Sequence, residues 1–164
     1  MKVRAPIERC FALSTHLAVV EMTLGMRPVG GRIEGFVAGG DRVRWRGWKW
    51  GVRHIHESLI EAFDPPFFFR DRMEAGRFAE FEHDHRLTTG NHGLVVLQDE
   101  LRFRMKWGAA GVAIARGIVL PHIRKLIRKR LALLKHLAES EEWRLYLDQR
   151  TFPAPSVSKR GWEE

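Results

Sequence analysis

The sequence predicts an α+β fold in which a long C-terminal helix packs across one face of an antiparallel sheet. Two patterns of periodicity carry this prediction. Apolar residues alternate with polar ones through residues 32–105, which is typical of half-buried strands. Residues 108–140 instead repeat with a period of 3.6, which is typical of an amphipathic helix. A sheet of this kind has one apolar face, and the long helix is the element able to cover it.

The N-terminal residues predict a short strand followed by two short helices. Pro6 suits the first turn of a helix, because its missing N–H has no partner to lose there. Ser14 or Thr15 can cap a second helix that ends near Leu24. Residues 25–31 contain three glycines and one proline, and we expect a loop there.

The first long strands place one tryptophan inward and predict an irregularity at a glycine. Val43 and Trp45 alternate with three arginines, so both fall on the apolar face. Gly47 then shifts the phase, and a bulge at Gly47 would turn Trp48 and Trp50 to the same face. The inward residues of the next strand are Val52, His54, His56, Ser58 and Ile60.

Three further strands follow Asp64-Pro65-Pro66, which interrupts the alternation. We expect a turn near Ala75 and Gly76 and a hairpin loop over residues 88–93. With the short first strand this gives a sheet of about six to seven strands. The inward residues are Phe67, Phe69, Asp71 and Met73, then Phe81, His83, His85 and Leu87, then Val95, Leu97, Asp99, Leu101 and Phe103.

The long helix separates its apolar and basic residues onto opposite sides. Gly117 and Pro121 lie in its interior, so we expect a bend over residues 117–121. The apolar side holds Val119, Ile123, Leu126, Ile127, Leu133, Leu134 and Leu137. The basic side holds Arg124, Lys125, Arg128, Lys129 and Lys135. The prolines and serines after Leu147 predict a flexible tail over residues 148–164, which leaves residues 1–147 as a single domain.

Composition excludes several classes of protein. The chain has 164 residues, of which 45% are hydrophobic, enough to build a core without disulfide bonds. Cys10 is the only cysteine, which fits a reducing compartment. The longest run without a charged residue or a histidine, residues 107–115, is far shorter than the roughly 20 residues of a membrane span. The N-terminus has no apolar stretch typical of a signal peptide, so we expect a cytoplasmic protein.

Positive charge is concentrated in the C-terminal half of the chain. The net charge is +8, yet residues 101–138 contain no acid and ten basic residues. Such a stripe can attract phosphate, nucleic acid or an anionic membrane surface, or it can be a solvated helix face. No aromatic stacking motif or helix-turn-helix accompanies the charge, so we predict no specific nucleic-acid partner and leave open a weak contact with an anionic membrane.

Several motifs together resemble the START / polyketide-cyclase / plant-allergen superfamily, which is also called SRPBCC. The first is Ala5-Pro6-Ile7-Glu8-Arg9-Cys10-Phe11, and Phe63-Asp64-Pro65-Pro66 is the second. The others are Phe69-Arg70-Asp71, Gly76-Arg77-Phe78 leading into Phe81-Glu82-His83-Asp84-His85, and Asp99 before the long helix. The order of these pieces, which extends over residues 1 to about 147, is more specific than any one of them.

The resemblance implies a helix-grip fold, in which a curved sheet wraps around the C-terminal helix. It also implies a cavity between sheet and helix that takes apolar or amphipathic small molecules. Relatives carry labels such as polyketide cyclase/dehydrase and cell-division inhibitor. First strands in this family are usually longer than residues 1–5, so a poorly paired sheet edge is expected here.

One group of inward polar residues is the strongest candidate for a site. Hairpins centred near residues 75.5 and 91 place Asp71 opposite Glu80 or Phe81 and place His83 opposite Asp99. Opposed Cβ atoms lie about 4.5–5.5 Å apart, so an Asp–His hydrogen bond is within reach. Three interpretations stay open: buried groups that satisfy each other, a general acid–base pair, and a metal site on His83-x-His85 with its flanking carboxylates.

The remaining candidate ligand contacts are inward residues around this group. They are His56, Trp45, Phe81, Phe103, His85 and Leu126. Neither a resident metal nor another cofactor is assigned. Cys10 lies between apolar residues on a helix and is more typical of a core than of a nucleophile.

Arg130 is the one basic residue on the apolar side of the long helix. A buried unpaired guanidinium costs several kcal/mol or more, so Arg130 needs a partner. Either it pairs with Asp71 or Asp99, or it binds an anionic group of a ligand. A third possibility is that its stem alone is buried while its charge reaches water.

Three functional hypotheses follow from these residues. The first is a carrier or sensor that binds a lipid, quinone or polyketide-like molecule in the cavity. The second is a cyclase/dehydratase-type lyase or isomerase that uses His83 and Asp99 as an acid–base pair, with Asp71 as the alternative carboxylate. The third is an interaction module that docks through its basic helix. The identity of the ligand and the oligomeric state stay open.

Overall fold

A seven-stranded antiparallel sheet forms one layer of the molecule, with strand order β1-β7-β6-β5-β4-β3-β2. The structure, a computed structural model, describes residues 1–49 and 52–147, so the predicted tail and Trp50 lie outside the described residues. The strands are β1 (Lys2–Val3), β2 (Met26–Gly31), β3 (Arg42–Lys49), β4 (Val52–Asp64), β5 (Phe68–Ala75), β6 (Phe78–Thr89) and β7 (Val95–Met105).

Two short helices follow the first strand, as the sequence predicts. They are α1 (Ile7–Thr15) and α2 (Leu17–Leu24). The predicted cap is wrong, because extended His16 begins α2. The hydroxyl of Ser14 instead donates to the carbonyl oxygen of Cys10 at 2.8 Å, and that of Thr15 donates back into α1. Hydroxyl groups often bond to the preceding turn in this way when they lie inside a helix.

The C-terminal helix runs from residue 108 to residue 139 with one irregular turn. It comprises α3 (Gly108–Ile114), a π turn (Ala115–Val119) and α4 (Leu120–Glu139). The π turn lies immediately before Pro121, which has no N–H to donate to the preceding turn. Where a bend is expected, around residues 117–121, the structure has a π turn, in which one residue is inserted into the helix. No helix in the described ranges combines the length and apolar character that a membrane crossing needs.

The predicted loop at residues 25–31 is instead an edge strand. Gly25 ends α2 with a φ of 65°, and β2 then pairs with β3 from Met26↔Gly47 onward. Pro28 is tolerated because an edge strand has a row of N–H groups that no neighbour uses. The register shifts between Pro28 and Gly30, where β2 has a bulge.

The predicted bulge at Gly47 is also wrong. The pairing of β3 with β4 continues without a shift from Arg42↔Leu59 to Lys49↔Val52. Trp48 therefore faces outward and is 71% exposed. Gly47 is required for a different reason: a Cβ there would lie 2.8 Å from Met26 Cγ and 2.9 Å from Gly25 O. The absent side chain permits a close approach of β2.

Two core clusters occupy one part of the molecule. The larger packs α1 and the end of α4 against the sheet, around Phe11, Phe69 and Leu137. The smaller lies beneath α2 and contains Val43, Trp45 and Ile60. The other end of the sheet, where α3 lies, belongs to neither cluster. The molecule therefore has a closely packed end and a more open end.

The short first strand is paired in spite of its length. Lys2 and Val3 pair with Val96 and Val95 of β7, and the amino group of Met1 donates to Leu97 O at 2.8 Å. Val3 is fully buried in the larger core cluster. Phe67, which the alternation placed inward, lies in the turn before β5 and is exposed.

Candidate functional site

Five polar side chains from four elements meet on the helix-facing side of the sheet. They form what we call the polar cluster: Asp71 on β5, His83 and His85 on β6, Asp99 on β7 and Arg130 on α4. Alternation along the strands places the first four on one face. The burial of Arg130 places it on the side of α4 that faces the sheet.

The pairing within the cluster differs from the predicted registers. His85 is the residue opposite Asp99, and His83 is the residue opposite Asp71. The prediction that His83 lies opposite Asp99 is therefore wrong by two residues. The prediction that Asp71 lies opposite Glu80 or Phe81 is wrong by three or two residues. The cause lies in the turns. The β5–β6 turn is at Gly76 and Arg77, and the next loop includes a 3₁₀ turn over Asn91–Gly93.

His85 is the most deeply buried imidazole of the cluster. Its Nδ1 lies 2.9 Å from Asp99 Oδ1, and its ring stacks on Phe69 with centroids 4.1 Å apart. Burial, followed by the nearby charges of His83 and Arg130, lowers the pKa of His85 to about 3. A neutral His85 therefore donates its Nδ1–H to the carboxylate of Asp99, which fixes the tautomer of the ring.

Asp99 is the electrostatic centre of the cluster. Arg130 Nε lies 3.4 Å from its Oδ2, and His83 Nε2 lies 3.6 Å from the same oxygen. Burial alone would raise the pKa of Asp99, but His85, His83 and Arg130 together hold it well below its ordinary value. Asp99 is therefore ionised, and it balances the positive charge of Arg130.

The structure shows which partners the buried guanidinium of Arg130 has. Arg130 is buried, it pairs with Asp99, and its Nη2 donates to Ser14 O at 3.1 Å. The alternative in which its charge reaches water is wrong. The hydrogen bond to Ser14 also joins α4 to the end of α1, so Arg130 links the two helices across the cluster.

Asp71 is the second carboxyl group of the cluster. Burial raises its pKa above the ordinary value, although His56, His83 and a hydrogen bond from Ser58 oppose the shift. Among the described residues, four buried atoms of the cluster have no hydrogen-bond partner: Asp71 Oδ1, His83 Nε2, Asp99 Oδ2 and Arg130 Nε. Three of these atoms, His83 Nε2, Asp99 Oδ2 and Arg130 Nε, face one another in ion pairs at 3.4 and 3.6 Å without forming a hydrogen bond. Buried polar atoms normally form one, so the cluster is a place where a further polar group can bind.

Aromatic rings continue the same face beyond the polar cluster. Phe81 lies two residues from His83 on β6, and its partner on β7 is Phe103. The ring centroid of Phe78 lies 5.1 Å from that of Phe81 and 5.3 Å from that of Phe103, and the ring centroids of His56 and Phe81 are 5.7 Å apart. We call these four residues the aromatic wall. All four are half-buried, unlike the rings of the core clusters.

Sequence reasoning missed Phe78, which belongs to this wall. Phe78 is three residues from Phe81, so strict alternation places it on the other face. A register shift between Phe78 and Glu80 brings it to the same face. The apolar residue out of phase was the signal that could have found it. Of the other candidates, Trp45 lies in the smaller core and donates to Ser58, while Leu126 is half-buried on α4.

The donor types of the cluster also raise the question of a metal ion. One ligand atom from each of His83, His85 and Asp99 lies within 4.8 Å of the others. Arg130 lies 3.4 Å from an oxygen of Asp99, however, and its charge would repel a cation at this position. The arrangement therefore suits a hydrogen-bonding group better than a metal ion.

Comparison with known proteins identifies the fold. No protein-family model matches the chain, and no curated protein matches it. Among solved structures, a protein of Thermus thermophilus is 19% identical, with a TM-score of 0.59 over 83% of this chain and 91% of the other. Ara h 8.0201 is 12% identical, with a TM-score of 0.61 over 84% of this chain and 93% of the other.

A third similar structure has an informative description. A START superfamily protein from Mycobacterium smegmatis is 15% identical, with a TM-score of 0.57 over 82% of this chain and 94% of the other. The chain thus has the START-like helix-grip fold that its motifs resemble. At these identities the likeness concerns the fold alone.

Proposed function

We propose that residues 1–147 form a single domain that binds an apolar or amphipathic small molecule, such as a lipid, quinone or polyketide-like compound, as a carrier or sensor. The ligand would lie in a cavity between the sheet and the C-terminal helix. The observation that carries this proposal is the contact between two unlike surfaces. Four buried polar atoms that form no hydrogen bond adjoin a half-buried aromatic wall.

The aromatic wall supplies the apolar part of such a site. Binding sites for small molecules combine apolar and aromatic walls with a few polar groups that fix the orientation. Phe78, Phe81 and Phe103 contact one another but retain solvent exposure that a ligand would remove. Each Å² of apolar surface so covered is worth roughly 25 cal/mol.

The polar cluster limits the chemistry of the ligand. Asp99 balances the charge of Arg130, and the raised pKa of Asp71 favours its neutral form. An added carboxylate would be repelled by the carboxylate of Asp99, and an added ammonium group would be repelled by the guanidinium of Arg130. A neutral hydroxyl or carbonyl group avoids both conflicts and can bond to the unpartnered atoms.

A displacement series tests the proposal. The protein is loaded with a fluorescent apolar probe, which is displaced by a long-chain alcohol, then by the amine and the carboxylic acid of the same length. We expect the alcohol to displace the probe at the lowest concentration. Phe81→Ala should weaken binding about tenfold or more, and Phe67→Ala, which removes an exposed ring, should leave it unchanged. Absence of probe and alcohol binding, or equal losses in both variants, would overturn the proposal.

A second candidate function is a cyclase/dehydratase-type reaction of the bound molecule. The observation that favours it is the placement of His83 Nε2, which is buried, forms no hydrogen bond and lies 3.6 Å from Asp99 Oδ2. A histidine beside a carboxylate can act as a general base. This function requires that His83→Asn abolishes turnover of a candidate substrate while apolar-probe affinity is retained, and loss of both together contradicts it.

A cytoplasmic location is part of the same proposal. Cys10 is buried and has no second cysteine with which to form an intramolecular disulfide, which fits a reducing compartment. Fractionation of cells that produce the tagged protein tests the location.

A further inference from the structure

The first half of the C-terminal helix presents apolar side chains to solvent. Trp107, at its N-terminal end, is 69% exposed, and Ile118 in the π turn is 56% exposed. Val112 and Ile114 between them are also exposed. Trp107 additionally has a φ of 75°, a left-handed conformation that is unfavourable for a bulky side chain. The carbonyl oxygen of Trp107 accepts a hydrogen bond from the N–H of Gly111, but its ring gains little from burial in the fold.

Exposed basic residues lie on the same helix, from the π turn onward. They are Arg116, Arg124, Lys125, Arg128 and Lys129. None of the five forms an ion pair with a described residue, although Lys129 donates to Met22 O. Residues 101–138 contain no acid that could neutralise them.

The arginines on the outer face of the sheet differ in this respect. Arg42 pairs with Glu74, Arg44 with Glu57, and Arg104 with Glu80. Much of the positive charge of the sheet is thus balanced locally, although Arg46 and Arg53 form no ion pair with a described residue, whereas none of the five helix residues does.

The spacing of the residues brings charge and apolar surface together. Ile118, Lys125 and Lys129 are separated by seven and four residues, which places all three on one side of the helix. Arg116 lies between Ile114 and Ile118 in the same turn and a half. We call these exposed apolar and basic residues of 107–129 the helix patch.

We propose that the helix patch docks on the surface of an anionic lipid bilayer. Helices that lie in a membrane interface combine basic residues with tryptophan and aliphatic residues in this way. The basic residues are attracted to acidic headgroups, each contributing about a fivefold gain in affinity. The exposed apolar side chains favour a lipid partner over nucleic acid. They would stay in water on a nucleic-acid backbone, whereas at the acyl boundary of a bilayer they are removed from water.

Vesicle sedimentation tests this docking with matched variants. We expect the protein to sediment with phosphatidylcholine vesicles that contain phosphatidylserine and to stay in solution with phosphatidylcholine alone. Ile118→Asn should reduce sedimentation several-fold, whereas Ile33→Asn should not. Ile33 is a suitable control because it is equally exposed, at 56%, and lies outside the helix patch.

Charge reversal provides the second comparison. The double variant Arg124→Glu/Lys125→Glu should lower the binding constant by at least about tenfold. Arg46→Glu/Arg53→Glu changes the net charge equally on the outer face of the sheet and should have a small effect. Equal losses in the two double variants would overturn the proposal. Binding to a DNA duplex that is sensitive to Arg124→Glu/Lys125→Glu, without vesicle sedimentation of the unmodified protein, would overturn it in favour of nucleic acid.

Discussion

At the scale of single residues, Asp84 illustrates how the outer face of this sheet is organised. Asp84 is fully buried although it faces away from the helix, because three arginines cover it. Arg70 Nη2 and Arg102 Nη2 each donate to its carboxylate at 3.0 Å, and Arg86 Nη2 lies at 3.3 Å. The hydrogen bond from Arg70 is the main reason why the pKa of Asp84 falls to about 2. Alternation predicts that Asp84 faces outward, but not that its neighbours bury it.

Replacement of Asp84 tests this arrangement through its pH dependence. A carboxylate with a lowered pKa stabilises the fold above its unfolded pKa of about 4, and this stability is lost as the pH falls through about 2. We therefore expect Asp84→Asn to cost about 3 kcal/mol at neutral pH, with a difference from the unmodified protein that shrinks below pH 4. Urea unfolding over this range measures it. Glu80→Gln, which breaks an exposed pair, should cost less than about 1 kcal/mol throughout.

Arg130 provides a second residue-scale prediction. Its removal leaves the buried carboxylate of Asp99 without its cationic partner and removes the bond to Ser14. We expect Arg130→Leu to lower the free energy of unfolding by about 3 kcal/mol. Arg128→Leu, two residues away and exposed, should change it by less than about 0.5 kcal/mol. Equal effects of the two substitutions on denaturant unfolding would contradict the pairing of Arg130 with Asp99.

At the scale of elements, the sequence predicted faces better than registers. The helix phase is confirmed, since Ile123, Leu134 and Leu137 are buried and Arg124 and Arg128 are exposed. A face depends on hydrophobicity alone, and alternation records it directly. A register also depends on the backbone of each turn, as the errors of two or three residues at Asp71 and of two residues at His83 illustrate. Phe78 was missed for a related reason, because alternation of apolar and polar residues does not predict where a bulge shifts the register.

Gly47 gives a prediction about an element boundary. A Cβ at this position would approach Met26 Cγ and Gly25 O to less than 3.0 Å. We expect Gly47→Ala to destabilise the fold by about 1–3 kcal/mol, because β2 must move away from β3. Gly117 is the natural control, since a Cβ there meets nothing within 4 Å in the helix. Gly117→Ala should stabilise by roughly 0.5–1 kcal/mol, and thermal unfolding that shifts in the same direction for both variants would contradict this account.

At the scale of the whole molecule, packing is uneven along the C-terminal helix. Residues 134–138 include three buried positions in the larger core, whereas Gly108–Ile114 is largely exposed. The aromatic wall occupies the end of the sheet away from that core. The proposed ligand site and the helix patch therefore belong to the same open end, so docking would bring a bilayer close to the aromatic wall.

This unevenness predicts a gradient of local stability. Elements with few buried apolar contacts open at low free energy, whereas core elements open only on global unfolding. We expect amide hydrogens of Gly108–Ile114 to exchange with deuterium at least about tenfold faster than those of residues 131–138. A bound apolar molecule should slow exchange in α3 and around Phe81 and Phe103, while vesicles containing phosphatidylserine should slow it in α3 and the π turn. Equal protection from exchange along the whole helix of the ligand-free protein would mean that both ends are equally well packed, which would contradict the existence of a more open end.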